Sequence, residues 1–151
     1  MATTRASIQM NDAELRTLYD EVRTIALGTV GRDGSPHLSA MWFARLDGKI
    51  SFWSYTTAQK TVNLGRDRRV SCLFEAGEAY DGLRGALVRG RAVLFDDYGD
   101  ALRIGAAVAM RYNPGIDQEA AERVAARQAA KRTGIQVDIE DIVSWDHRKL
   151  G

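Results

Sequence analysis

The chain holds one cysteine, two prolines and two histidines in 151 residues. Each scarcity removes a class of protein. A single cysteine builds no disulfide framework, and Cys72 sits in the apolar run Val70-Ser71-Cys72-Leu73-Phe74. That placement predicts a buried thiol and a reducing compartment. His37 and His147 are far from each other and from Cys72, so no zinc spacing exists. Neither sign of charge dominates, with 21 basic residues against 20 acidic. Nothing therefore favours nucleic acid or an anionic membrane as partner. No run approaches the ~20 apolar residues of a membrane span. The opening MATTRASIQM lacks the apolar centre of a signal peptide. A soluble cytoplasmic protein is expected. There is no Walker-type loop, no G-x-G-x-x-G, no G-x-S-x-G and no cysteine paired with a motif histidine. No nucleophile and base are visible, so no catalytic residue is named; a bound cofactor carrying the chemistry fits that absence.

What is present reads as one domain with a real core, residues 1–10 forming a loose arm. Asn11 is a good N-cap, Asp12 and Glu14 suit the positive end of a helix dipole, and Leu15, Leu18, Tyr19 and Val22 recur at helical spacing. These predict an amphipathic helix over 12–23. Strands follow at 25–30, 37–45 and 49–55, joined by turns at Asp33-Gly34 and Asp47-Gly48. In the strand 37–45, Leu38, Ala40, Trp42 and Ala44 alternate with His37, Ser39, Met41 and Phe43. Neither face is polar at its middle, so one covers a barrel interior and the other meets a partner subunit or a bound ring. Further strands are predicted at 69–75, 83–95 and 135–145. Two helices precede the last, at 96–111 and 117–131, with Gly134 closing the second. Six or seven strands in antiparallel hairpins with flanking helices suggest a small barrel.

The stretch from Ile50 to Val70, ISFWSYTTAQKTVNLGRDRRV, organises the rest. A strand hands over to a short helix that begins at Lys60, buries Leu64 and stops at Gly65. Helix N-termini carry unpaired N–H groups and the positive end of the dipole. Thr56 or Thr57 can cap that end or donate to an oxygen, and Lys60 adds a full charge. Trp53 and Tyr55 can flank a flat ring attached to a phosphate. The plainer alternative is a solvated lysine on an ordinary strand–turn–helix, with Trp42, Trp53 and Trp145 as packing and Arg66, Arg68 and Arg69 as a solvated charge run.

Four segments, GTVGRDGSPHLSAMWFA, the Ile50–Glu75 stretch, LRGALVRGRAVLFDD and IVSWDHRKL, resemble in the same order the split β-barrel flavin and deazaflavin oxidoreductases, the superfamily of pyridoxamine 5'-phosphate oxidase. The chain most resembles the branch using the deazaflavin coenzyme F-420, with the K-x-x-N-L-x-x-D-x-R-V pattern at Lys60–Val70 the most specific part; the family usually has proline where this chain has Arg68. The resemblance implies a mainly β split barrel with helices, a homodimer with cofactor at the interface. It implies phosphate contacts at Ser54, Gln59 and Lys60, with Asn63 behind, a strand along the ring at Ser39, Met41 and Trp42, and a C-terminal aromatic at Trp145. It implies hydride transfer between coenzyme F-420 and a conjugated organic acceptor. FMN in the same barrel, as oxidase or reductase, stays open, as does a module that binds flavin or haem without turnover. Departures weigh against the oxidase proper: SWDHRKL lacks its paired R-x-H-x-R ending, and Gln59-Lys60 stands where it has two cations.

Overall fold

The computed structural model describes residues 4–151. Seven strands form a single antiparallel sheet: β1 (Ile25–Val30), β2 (Pro36–Met41), β3 (Ala44–Leu46), β4 (Lys49–Tyr55), β5 (Arg69–Ala76), β6 (Arg84–Phe95) and β7 (Arg132–Asp146). Their order is β2-β1-β5-β6-β7-β4-β3. Strands β2 and β3 lie at opposite ends of that order and do not pair, so the curled sheet is a half-barrel with an open seam, consistent with a split barrel. Five helices accompany it: α1 (Thr4–Ser7), α2 (Asp12–Glu21), α3 (Gln59–Arg66), α4 (Tyr98–Tyr112) and α5 (Gln118–Ala126).

Inward positions alternate as the pleat requires. Ile25 and Leu27 of β1, Cys72 and Phe74 of β5, Ala86 and Val88 of β6, Phe52 of β4 and Ile135 of β7 are all fully buried. Helix α2 closes one end of the barrel with Leu15, Leu18 and Tyr19. Its start is the predicted one: the Asn11 side chain accepts from the Glu14 N–H, and the Glu14 carboxylate accepts from the Asn11 N–H. The Cys72 thiol is buried as predicted, and burial alone pushes its pKa up to about 12.

Three predicted elements change on folding. The strand over 37–45 breaks at Trp42-Phe43. The Phe43 N–H donates to the Tyr112 hydroxyl at 3.1 Å, and its carbonyl accepts from Arg111 at 3.1 Å. Its backbone is thus bound to α4, and the chain crosses there from one edge of the sheet to the other. The helix over 117–131 ends at Ala126, and β7 starts at Arg132, earlier than the predicted 135. Gly134 closes no helix; it lies within β7, where a Cβ would come 2.7 Å from the Ile104 side chain of α4. The loose arm over 1–10 is corrected in part. Residues 1–3 lie outside the described residues, but Ile8 accepts from the Asp146 N–H, and the Met10 N–H donates to the buried Ser144 hydroxyl. Among the described residues no helix is long and apolar enough to cross a membrane.

Candidate functional site

Two strand edges face the open seam. Strand β3 pairs only with Lys49–Ser51 of β4, so the remainder of β4 has β7 as its single neighbour. Strand β2 pairs only with β1. Edge strands carry backbone N–H and C=O groups without partners. Helix α3 packs against both β1 and β4 and so spans the seam.

The corner where β4 ends and α3 begins collects most of the predicted phosphate residues. Ser54 is buried at the end of β4, opposite Thr133. The turn through 56–58 leads into α3, whose N-cap is Ala58, and no side chain caps it. The helix starts at Gln59, one residue before the predicted Lys60, and Gly65 does not stop it; Arg66 is its last residue. An uncapped N-terminus leaves the first N–H groups without acceptors. Lys60 is half-buried beside them, with no ion pair or hydrogen bond to any described residue.

Neither threonine plays the expected part. Thr133 donates its one hydroxyl proton to Asp96 at 3.2 Å. In the 3.0 Å contact between Thr56 and Thr133, Thr56 must then be the donor. Its proton is committed, so it cannot donate to a bound anion. Thr57 is exposed and caps nothing.

Asn63 is fully buried. Its amide donates to Thr29 at 3.1 Å and accepts from Gln59 at 2.7 Å and Arg66 at 3.1 Å. It ties α3 to β1 and orients Gln59, so its route to a ligand runs through Gln59. Arg66 also bonds the Val30 carbonyl, and Arg69 pairs with Asp67, which lowers the carboxyl of Asp67 to about 2. Those two arginines are occupied within the chain.

On β2 the side chains of His37, Ser39 and Met41 turn inward with their partners Thr29, Leu27 and Ile25. The Ser39 hydroxyl and the His37 Nδ1 are buried with no hydrogen-bond partner. An orphaned buried hydroxyl beside an open edge is a place where a ligand's polar atom fits. Met41 packs against the core.

The aromatic residues separate. Trp42 is 57% exposed and stacks on Tyr112, with centroids 4.3 Å apart and planes within 5°. Trp53 does not flank the seam; its ring presses on α4 at Gly105, where a Cβ would sit 2.3 Å from it. The Arg132 guanidinium lies 3.7 Å from the Tyr55 ring centre and covers it. Trp145 lies against Gly85 near the far end of β7. At about 3.3 Å per residue, Thr133 and Trp145 are roughly 40 Å apart along that strand. One chain therefore does not bring Trp145 to the Ser54–Lys60 corner.

Sequence reasoning missed Arg111 at the end of α4, beside Tyr112. Arg111 donates to the carbonyls of Phe43, Tyr19, Asp20 and Val22 and to the Tyr112 hydroxyl, and burial lowers its pKa. An arginine at a helix end before Asn-Pro-Gly looks like an ordinary dipole partner; no local pattern announces four distant carbonyls.

The outer face of the sheet carries two shallow grooves. One of about 580 Å³ is lined by Gly28, Leu38, Ser71, Arg69 and Arg89 among others. The other, about 420 Å³, lies along Ala26, Leu38, Ala40 and Leu73.

The family model for pyridoxamine 5'-phosphate oxidase matches residues 12–146. No curated protein matches. Among solved structures, the conserved hypothetical protein Rv2991 from Mycobacterium tuberculosis is 40% identical, with a TM-score of 0.91 and coverage of 99% of this chain and 93% of that one. A structure described as an F-420 reductase is 25% identical, with a TM-score of 0.62, covering 84% of this chain and 94% of its own. The heme storage protein HutZ from Vibrio cholerae, 16% identical with a TM-score of 0.69 over 88% of this chain and 94% of its own, shares the fold.

Proposed function

The chain belongs to the pyridoxamine 5'-phosphate oxidase family, and we propose that it is a homodimeric oxidoreductase that binds the deazaflavin coenzyme F-420 and passes a hydride to a conjugated organic acceptor. The observation that carries this reading is the uncapped start of α3 with an unpaired Lys60 beside it. A helix N-terminus and one ammonium together make an anion site. The F-420 reductase at 25% identity supports the choice of cofactor. So does charge: a phosphate monoester such as that of FMN carries up to two negative charges near neutral pH, whereas the phosphodiester of a deazaflavin carries one. Gln59-Lys60 offers a single cation.

When bound, a deazaflavin supplies a two-electron hydride donor. The chain's own residues bind and orient it. The first N–H groups of α3 and Lys60 take the phosphate oxygens, with Gln59 held ready by Asn63. The Ser39 hydroxyl donates to a polar atom of the ring, and the open backbone edge of β2 holds the ring's other polar atoms. Met41 fills space behind the ring and Trp42 stands at the end of the strand. Trp145 reaches the site from a second copy, because its own chain's corner is too far away. The outer apolar face suits that pairing: Leu38, Ile139 and Ile142 are all exposed in the single chain.

Titration of the purified protein with deazaflavin and, in parallel, FMN tests the reading by fluorescence. Saturable deazaflavin binding tighter than FMN binding is expected, with anaerobic reduction of a quinone or enone by the reduced cofactor. Binding of neither compound sinks the reading; FMN binding alone replaces the cofactor and keeps the barrel. Light scattering during chromatography should return twice the chain mass.

A further inference from the structure

Arg111 has its hydrogen bonds satisfied but not its charge. Its partners are four backbone carbonyls and the Tyr112 hydroxyl, and none of them is an anion. Asp20 offers it a carbonyl and gives its carboxylate to Arg45 instead, at 3.0 Å. Burial lowers the pKa of Arg111, and the charge of Arg23 lowers it further. Arg23 lies 4.5 Å from the Tyr112 ring centre and has no ion pair among the described residues. A guanidinium withdrawn from water without a counter-ion costs free energy that carbonyl dipoles offset only in part.

That charge opens on a cavity. About 300 Å³ lie between α2, the start of β3 and α4, with Arg111 and Arg45 both on the wall. Ala44 and Ala107 contribute single methyl groups, and Tyr19 closes the α2 side. Arg45 is the part of the wall with donors to spare. Of its five N–H groups only Nη2 has a partner, the Asp20 carboxylate. Its guanidinium stands over the Tyr19 ring, 5.7 Å from the centre. The Asp20 side chain is 71% exposed, so most of its charge is spent on water. The lining therefore holds two guanidiniums against one solvated carboxylate.

We propose that this cavity binds a small organic monocarboxylate, which accepts from the free N–H groups of Arg45 within the field of Arg111 and rests its apolar body against Ala44 and Ala107. A planar carboxylate matches a guanidinium fork. One negative charge balances the excess in the lining. A second, such as a phosphate monoester carries, would meet the Asp20 carboxylate. The volume suits a ligand of one ring, because ligand sites run from about 300 Å³ upward. Occupancy would tie α2 to α4 and raise stability by mass action. The cavity shares no residue with the proposed cofactor corner or with the outer grooves, so it stands or falls apart from the cofactor.

Benzoate is the probe, titrated into the whole protein and followed by calorimetry and by Tm. Benzamide serves as its neutral isostere, and sodium chloride matches the ionic strength. Benzoate should bind with a dissociation constant on the order of 1 mM and raise Tm by about 3–5 °C at ten times that concentration. Neither control should do so. Arg45→Met keeps the stem and removes the fork, and should weaken benzoate about tenfold. Ala107→Leu fills the cavity at a half-buried position, removes no polar group, and should abolish the saturable shift. Both variants should bind deazaflavin within about twofold of the wild type. No saturable benzoate binding up to about 20 mM, benzamide binding as tight as benzoate, or wild-type benzoate affinity in either variant overturns the proposal. So does a parallel loss of deazaflavin and benzoate affinity in Arg45→Met, which would make Arg45 a cofactor contact. A wild type that binds benzoate through Arg45 but takes no deazaflavin supports this site and removes the proposed cofactor.

Discussion

Two corners of this molecule treat their polar groups in opposite ways. Where α4 meets α2 and the β2–β3 crossing, Arg111 and Tyr112 are fully engaged: the guanidinium serves four backbone carbonyls and a phenol, and the phenol serves three partners. Among the described residues, where β4 meets α3 the helix has no side-chain cap and Lys60 no partner, and the Ser39 hydroxyl on edge strand β2 is buried without one. Buried polar groups cost free energy unless bonded. A fold that engages Arg111 and Tyr112 throughout and leaves the start of α3 open has room for a ligand at the second corner. The open corner is also fenced by committed groups: Thr56 gives its proton to Thr133, and Asn63 fastens Gln59 to β1. What remains open is a small set on a rigid frame, the condition for tight and oriented binding.

The contrast breaks first, if it breaks at all, at Arg111. Arg111→Ala leaves several carbonyls at the α2 end and at Phe43 unsatisfied, and should lower unfolding free energy by about 2–4 kcal/mol. Arg111→Lys should recover little, because one ammonium cannot reach carbonyls arranged around a planar fork. Urea denaturation measures both. A loss below about 0.5 kcal/mol would show that the junction is held by apolar packing alone.

Lys60→Ala is the counterpart at the open corner. It removes no contact within the chain, so stability should stay within about 0.5 kcal/mol. Deazaflavin binding should weaken by about 1.5–3 kcal/mol, the scale of one charged hydrogen bond. A variant with unchanged affinity takes Lys60 out of the site; one with reduced stability means that the lysine was committed after all.

Much of this contrast was legible in the residues, and the illegible part has one cause. The antiparallel strands, the α2 cap at Asn11 and the buried Cys72 follow from patterns a few residues long, which is the range over which hydrophobic period and capping act, while the split of the barrel came from the family resemblance. The strand-to-helix turn that the proposed anion site occupies was recognisable for the same reason. The break at Trp42-Phe43 was not, because alternation continues unbroken through it, and only the end of α4, 68 or 69 residues on, captures the Phe43 backbone. Thr56 looked like a cap until Thr133, 77 residues away, took its proton. Asn63 was placed behind the turn, but its bonds to Thr29 and Gln59 could not be read from the local pattern. Gly134 carried a helix-stop signal, but the close approach of Ile104 is what requires a glycine there. Each miss is a tertiary contact overriding a local signal.

A third committed group lies at the C-terminal end of β7 and reads out through pH. Asp146 is 2% exposed; the Arg148 side chain bonds both its oxygens and the Arg148 N–H donates to one of them. These bonds hold its carboxyl below the ordinary value of 3.8. A depressed folded-state pKa adds stability that is present above the unfolded value and disappears as pH falls through the folded one. Asp146→Asn should therefore cost about 1–2 kcal/mol at pH 7, and the gap to the wild type should close as pH drops below about 4. Urea titrations at pH 7, 5, 4 and 3 measure it. A gap independent of pH would place the effect in packing rather than in charge.

The smallest expected effect discriminates most sharply between the two kinds of corner, because Thr56 lies inside the open one and is nevertheless committed. Thr56→Val keeps the side chain's shape and removes its hydroxyl. Thr133 loses a donor but keeps Asp96, so destabilisation should be about 0.5–1.5 kcal/mol. Deazaflavin affinity should not change, since the proton of Thr56 already points at Thr133 rather than at the turn. Thr56→Ser restores the hydroxyl and should restore stability. If Thr56→Val instead weakens deazaflavin binding as much as Lys60→Ala does, the hydroxyl network must turn over on binding, with Thr133 donating to Thr56 and Thr56 to the phosphate. The Asp96 carboxylate would then lose its donor from Thr133, and Asp96→Asn would alter cofactor affinity from behind the site.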